Sequence, residues 1–344
     1  MKKTILAVLA LASVVACNKS EVLEVAPQKA ISFGNPFVEN ATKAIDPSLT
    51  HGDDGTFTSF NVYGTLTNTG NFTTNIFNGV EVVKATDADH TIGATGTWYY
   101  NSSSVQYWIP GNTYNFVAVA NATKVNVDAA NNNMPTTIEY TADGTTDLLY
   151  TKAPVTKTPD VASFDETVAF TFDHLLSKVV FKFTNKYADA TNFEIKVTDI
   201  KIVGAIKDGQ YSIESEEWSN VSTNSFTYEF GNAATTATNE GAAADYIDSE
   251  AFLYSNFEKL LIPSTYAEMN IAFKAEVYMN QDEKYTLVDT KDYTANYLKP
   301  ANIKIEEGKA YCFSIEIGDE LKPIKFGVET LNGFTTVTPD VDLN

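Results

Sequence analysis

Few side chains in this sequence are placed to do chemistry, and the first of them is Cys17. It closes the stretch MKKTILAVLALASVVAC. Lys2 and Lys3 give a positive start, and Ile5 to Val15 form an apolar core too short for a permanent membrane-spanning helix. Ala16 is a small residue directly before the thiol, so Val14-Val15-Ala16-Cys17 has the pattern of a lipobox. In that pattern the cysteine sulfur takes a diacylglyceryl group before the signal is cut away. A plain secretory signal with an incidental cysteine is the alternative.

The other reactive residue types suggest no catalysis. His51, His90 and His174 have no second histidine at i+4 and no cysteine at metal-ligand spacing. His174 follows Asp173, which reads as a turn pair bonded locally rather than an acid–base couple. Asp53-Asp54 and Asp87/Asp89 lack the carboxylate count of a calcium loop and read as solvated turns. There is no G-x-S-x-G and no phosphate-binding glycine loop. Trp98, Tyr99, Tyr100, Tyr107 and Trp108 could stack on a sugar, but strand aromatics filling a core account for them better. Cys312 alternates with apolar neighbours in AYCFSIEI and reads as a half-buried thiol. An enzyme is not expected, and neither is a cofactor or a metal.

Charge narrows the partners. The 24 basic residues are all lysines and face 44 acids, a formal net charge of −20. Such a surface repels phosphate backbones, so nucleic acid is not an expected partner.

The elements that carry these residues are strands. Ile31 and Phe33 alternate with small or polar residues, and Pro36 ends that strand or marks it as an edge. From Thr56 onward FTSFNVYGTL, NIFNGVEVVKA, GTWYYNSSSVQYWIP and NTYNFVAVANATKVNV read as strands, with Asn78-Gly79 as a hairpin turn signal. Residues 151–164 hold two prolines and little pattern, the mark of a linker. VAFTFDHLLSKVVFKF restarts the alternation, and FEKLLIPSTY, MNIAFKAEVYM and KAYCFSIEIG continue it. The sequence therefore reads as all-β, two β-sandwich domains in series. The expected division is a signal peptide over 1–16, a lipidated tether with a removable strand over 17–43, an N-terminal sandwich over 44–158, a C-terminal sandwich over 159–320 and a terminal strand segment over 321–344.

The two ends carry the functional reading. The strand of Ile31 and Phe33 lies just before Lys43, in the polar and cuttable segment Asn40-Ala41-Thr42-Lys43-Ala44. At the other end Ile324, Phe326 and Val328 alternate, and Phe334, Val337, Val341 and Leu343 extend the apolar trace. Loss of the first strand would open a groove of unpaired backbone groups, and a C-terminal strand from a neighbouring chain could fill it. Such head-to-tail contacts need not close, so they would build a filament. The alternative is that both strands complete their own sandwiches in a monomeric lipoprotein.

The sequence resembles the fimbrillin family, the type V pilins of Bacteroidales, over nearly its whole length. The resemblance rests on the Cys17 lipobox, the Asn40 to Ala44 segment, YWIPGNTYNFVAVA, Asp147-Leu148-Leu149-Tyr150, GKAYCFSIEI and, most specifically, FTFDHLLSKVVFKF. It implies two transthyretin-like sandwich domains and an outer-membrane precursor held by lipid on Cys17, palmitate included. It also implies cleavage between Lys43 and Ala44 and polymerisation by donor-strand exchange, with Ile324, Phe326, Val328, Phe334 and Val337 supplying the donor. The implied partners are neighbouring copies in a homopolymer and minor tip and anchor pilins, in a cell-surface fimbria that supports adhesion. This chain would be a stalk subunit; a tip, an anchor or a non-polymerising lipoprotein that binds a glycan or host ligand are the alternatives. One departure is clear: the family usually cleaves after arginine, and this sequence has none, so Lys43 takes that place.

Overall fold

The computed structural model describes residues 29–34, 36–38, 58–84, 98–160, 167–187, 192–220, 224–234, 252–255, 258–281, 284–298, 300–318, 322–330 and 340–341. Among them the chain is all-β, with short 3-10 turns and no α-helix.

The first sheet runs, in spatial order, through Phe37–Val38, Thr171–His174, Leu149–Tyr150, Thr113–Ala120, Ser59–Thr67, Thr73–Lys84 and Trp98–Tyr100. Every pairing in it is antiparallel except the first. One face gathers Phe33, Phe60, Phe77, Tyr100, Phe116, Phe170 and Phe172 into an aromatic core. Alternation in Phe60/Val62 and Tyr114/Phe116 drives this, since every second residue of a strand points to one face.

The second half is a sandwich. Ser177–Asn185 lies parallel to Ala310–Gly318 at the centre of one sheet. Lys322–Thr330 adds antiparallel to Ala310–Gly318, and Asp340–Val341 adds to Lys322–Thr330. The facing sheet runs Ser225–Gly231, Phe193–Ile206, Asn270–Gln281 and Lys284–Leu298. Phe183 meets Phe273 at 5.1 Å and Phe181 meets Phe230 at 4.8 Å between ring centroids. Fully burying side chains of this size contributes roughly 1.5–3 kcal/mol each.

Two expectations need correction. The first is the Asn78-Gly79 turn. Thr73–Lys84 is one strand, and its register against Ser59–Thr67 slips between Val62 and Tyr63, leaving Gly79 unpaired as a bulge. Gly79 has φ +68°, which glycine adopts without strain, so the same chemistry that marks a turn here marks a bulge. The turn of this hairpin is Asn68 to Phe72, where the Asn68 side chain accepts from the Gly70 and Phe72 amides. Valine at Gly79 should cost about 1–3 kcal/mol, because a β-branched residue is strained there, and urea unfolding measures it.

The second concerns the division at 158/159. Val155–Lys157, expected as linker, pairs with Tyr114–Phe116. Val168, Phe170 and Phe172, expected in the second half, lie in the first core, and Thr171–His174 pairs with Leu149–Tyr150. The halves also share a four-stranded sheet in which Asp208–Ser212 pairs with Met134–Thr141. The sheet boundary therefore does not follow the chain boundary. Alternation shows that a strand has a buried face but not which sheet receives it.

Candidate functional site: a strand that closes the first sheet

The segment of Ile31 and Phe33 lies in a seam between two stretches of backbone, around Tyr107 and around Val168, beside the edge of the first sheet. Ala30 bridges Tyr107 antiparallel on one side, and Phe33 bridges Val168 parallel on the other. Ile31 N donates to Gln106 O at 2.8 Å, and Trp108 N donates to Lys29 O at 2.9 Å. Across the seam Val168 N donates to Ser32 O at 2.8 Å, Gly34 N to Val168 O at 2.9 Å and Phe37 N to Phe170 O at 2.8 Å. Lys29 and Ile31 are thus bonded on one side and Ser32, Gly34 and Phe37 on the other, so the segment runs between two backbones as an inserted strand would.

The side chains make the seam part of the core. Ile31 is fully buried and Phe33 is 1% exposed. The Phe33 ring stacks on Phe170 at 5.9 Å and meets Phe77 and Tyr100 edge-on at 5.6 and 5.5 Å. Tyr100 Oη donates to Ile31 O at 2.8 Å. Burial pushes the Tyr100 phenol up to about 12, so it stays a neutral donor at any ordinary pH. Gly34 sits where a Cβ would lie 2.9 Å from Thr167 Cγ2, so the backbone approaches that side chain as only glycine allows.

If this segment left, Gln106 O, Trp108 N, Val168 N and O, Phe170 O and the Tyr100 hydroxyl would lose these hydrogen bonds. Aromatic surface on Phe60, Phe77, Phe116 and Phe170 would lose its cover. A groove of that kind binds an extended strand with an alternating apolar face.

The other sequence-derived residues fall as follows. Phe326 and Val328 are buried in the second sandwich, with Phe326 packed on Phe313 at 5.7 Å. Ile324 lies on the same strand, Lys322–Thr330. Cys17, Lys43, Ala44, Phe334 and Val337, with His51, His90, Asp53, Asp54, Asp87 and Asp89, lie outside the described residues. Trp98, Tyr100 and Trp108 are core residues, and Tyr107 alone of that aromatic group is exposed above 40%, at 43%. Cys312 is buried.

His174 does not pair with Asp173. Its Nδ1 bonds Asp147 Oδ2, from the loop before Leu149–Tyr150, with both side chains buried. Asp173 Oδ2 instead accepts from the Lys152 amide at 3.4 Å. The Asp147 partner comes from 27 positions away, which no local spacing could have shown. Close by, Lys152 Nζ pairs with Glu307. Burial holds the Glu307 carboxyl above the usual carboxylate range, outweighing Lys152. A carboxyl raised in the folded state costs stability when ionised, and the cost disappears as pH falls toward the ordinary value of about 4.3. Glu307→Gln should therefore gain on the wild type as pH rises, and urea midpoints at mildly acid and mildly alkaline pH check it. The Lys152–Glu307 pair joins the two halves; among the described residues no cluster of His, Cys, Asp and Glu could hold a metal ion.

Residues 42–338 match the fimbrillin-like family profile, and the chain belongs to that family. Among solved structures it is similar to a fimbrial protein from Bacteroides vulgatus, at 16% identity, with 81% of this chain and 92% of that chain covered and a TM-score of 0.55, which shows a shared fold. It also aligns with a candidate cell adhesion protein from Bacteroides uniformis, at 16% identity, covering 91% and 98% with a TM-score of 0.44. A third is a candidate cell adhesion protein from Bacteroides ovatus, at 13% identity, covering 92% and 99% with a TM-score of 0.42. Comparison with curated proteins gives no match.

Proposed function

We propose that this chain is a stalk subunit of a cell-surface fimbria, delivered as an outer-membrane lipoprotein precursor and assembled by strand exchange. The observation that carries the reading is the seam: Lys29 and Ile31 bonded to the Gln106–Trp108 segment, Ser32, Gly34 and Phe37 bonded to Val168 and Phe170, and Ile31 and Phe33 buried. Lipid on Cys17 would hold the closed precursor at the membrane. Cleavage between Lys43 and Ala44 would release the seam strand from the rest of the chain. The vacated groove would then take the C-terminal segment of a neighbour, from 321–344, with Ile324, Phe326, Val328, Phe334 and Val337 as the apolar set. Its partners are copies of itself, with minor tip and anchor pilins at the ends. The role is structural and adhesive rather than enzymatic.

The acceptor and donor sit in different sheets of one chain, which supports head-to-tail growth. A second reading follows from the absence of arginine. If the processing protease rejects Lys43, the chain keeps its lipid and seam and serves as an anchor. Intact mass of protein sheared from the cell surface separates the two. A stalk subunit starts at Ala44 and carries no lipid. A species starting at an acylated Cys17 identifies the anchor, and any other N-terminus refutes the cleavage site.

A further inference from the structure

The seam strand reads Ile31-Ser32-Phe33-Gly34, and the C-terminal strand reads Ile324-Lys325-Phe326-Gly327. Both present Ile-x-Phe-Gly. The shared glycine is explained at only one of the two places. At Gly34 a Cβ would lie 2.9 Å from Thr167 Cγ2, closer than side-chain carbons pack. At Gly327 the nearest atom to a built Cβ is Ser314 Cβ at 3.7 Å, an ordinary contact, and φ is not left-handed. Gly327 pairs with Ser314 in the middle of Lys322–Thr330, where glycine is a poor strand residue. Its own sheet gives no reason for a glycine there. The seam does.

We infer that Ile324–Gly327 is a register-matched replacement for Ile31–Gly34: in a neighbouring subunit Ile324 takes the Ile31 site, Phe326 the Phe33 site among Phe77, Tyr100 and Phe170, and Gly327 the close approach under Thr167. This deepens the strand-exchange reading above and rests on it. The register places Lys325 where Ser32 now lies, with its side chain at Thr167; Ser32 Oγ donates to Thr167 Oγ1 at 3.5 Å. Ser32 is buried and Thr167 half-buried, so a lysine at this position must run its aliphatic stem past Thr167 to put its ammonium in water. A shift by one residue would turn Phe326 out of the aromatic core, and a shift by two would carry Gly327 away from Thr167, so the glycine match selects this register.

The test uses the chain from residue 18 to 344, with residues 40–45 exchanged for a specific protease site, so that cutting starts assembly. In a Cys312→Ser background, Thr167→Cys combined with Lys325→Cys should give a disulfide-linked ladder under oxidising conditions after cutting. Thr167→Cys with Ile324→Cys or with Phe326→Cys should not. Gly327→Ala should slow polymerisation about ten-fold or more, by crowding Thr167, while leaving the thermal midpoint of the uncut protein unchanged or higher. If the parent polymerises but the ladder forms with another pair, or Gly327→Ala assembles at the parent rate, the register is wrong and strand exchange stands. If the parent does not polymerise after cutting, strand exchange itself fails and the register with it.

Discussion

Replacing Phe33 by alanine should lower the unfolding free energy of the uncut precursor by about 3–5 kcal/mol, one of the two largest effects expected of any single change in this chain. Its ring is the hub of the first core, stacked on Phe170 and edge-on to Phe77 and Tyr100. Phe60 and Phe116 also reach it, at 6.5 and 6.3 Å. Truncation leaves a cavity that these neighbours cannot readily fill, since Phe60, Phe77, Tyr100 and Phe116 are fixed on paired strands. The functional consequence runs the other way. A seam strand without its anchoring ring leaves the groove more readily, so Phe33→Ala should assemble faster than the parent once cut. Chemical unfolding gives the first quantity, and light scattering after cleavage gives the second. A slower assembly with a weakened seam would contradict the role assigned to this strand.

Phe326→Ala carries the matching prediction at the other end. Phe326 is fully buried on Phe313, so the precursor should again lose about 3–5 kcal/mol. Here assembly should stop rather than accelerate, because the same ring would fill the neighbour's core. Two phenylalanine truncations of like cost to the monomer thus have opposite effects on the polymer. General loss of stability would push both in one direction, so the contrast isolates the strand roles.

Much of this was legible in the residues. The alternation of Ile31 with Phe33, and of Phe326 with Val328, marks two one-faced strands at opposite ends, and all four side chains are buried. The all-β class followed from the same period. What the sequence could not show is where each face goes. Val168 and Phe170 alternate as plainly as Phe181 and Phe183, yet the first pair borders the seam and the second lines the other sandwich. The choice between them depends on which sheet has a vacant edge, a long-range property. Gly79 shows a second kind of loss. A positive φ serves a turn and a bulge equally, and only pairing with Ser59–Thr67 decides between them. His174 shows a third, since Asp173 is adjacent in sequence but strand alternation turns it away, and Asp147 arrives from another loop.

The glycines at 34 and 327 tie these points together. Neither lies in a left-handed conformation, so neither is there for backbone freedom. One meets Thr167 and the other meets ordinary space, and the match of their flanking residues makes sense when both serve one groove.

The central claim is that residues 29–38 form a replaceable strand. It is tested most directly by cutting the precursor at the engineered 40–45 site and following particle size with and without excess peptide spanning residues 29–38. The account predicts polymers after cutting, and their suppression by the peptide as it reoccupies the groove. Protein that stays monomeric after cutting and removal of the free segment, or polymers that grow equally well in saturating peptide, would contradict it.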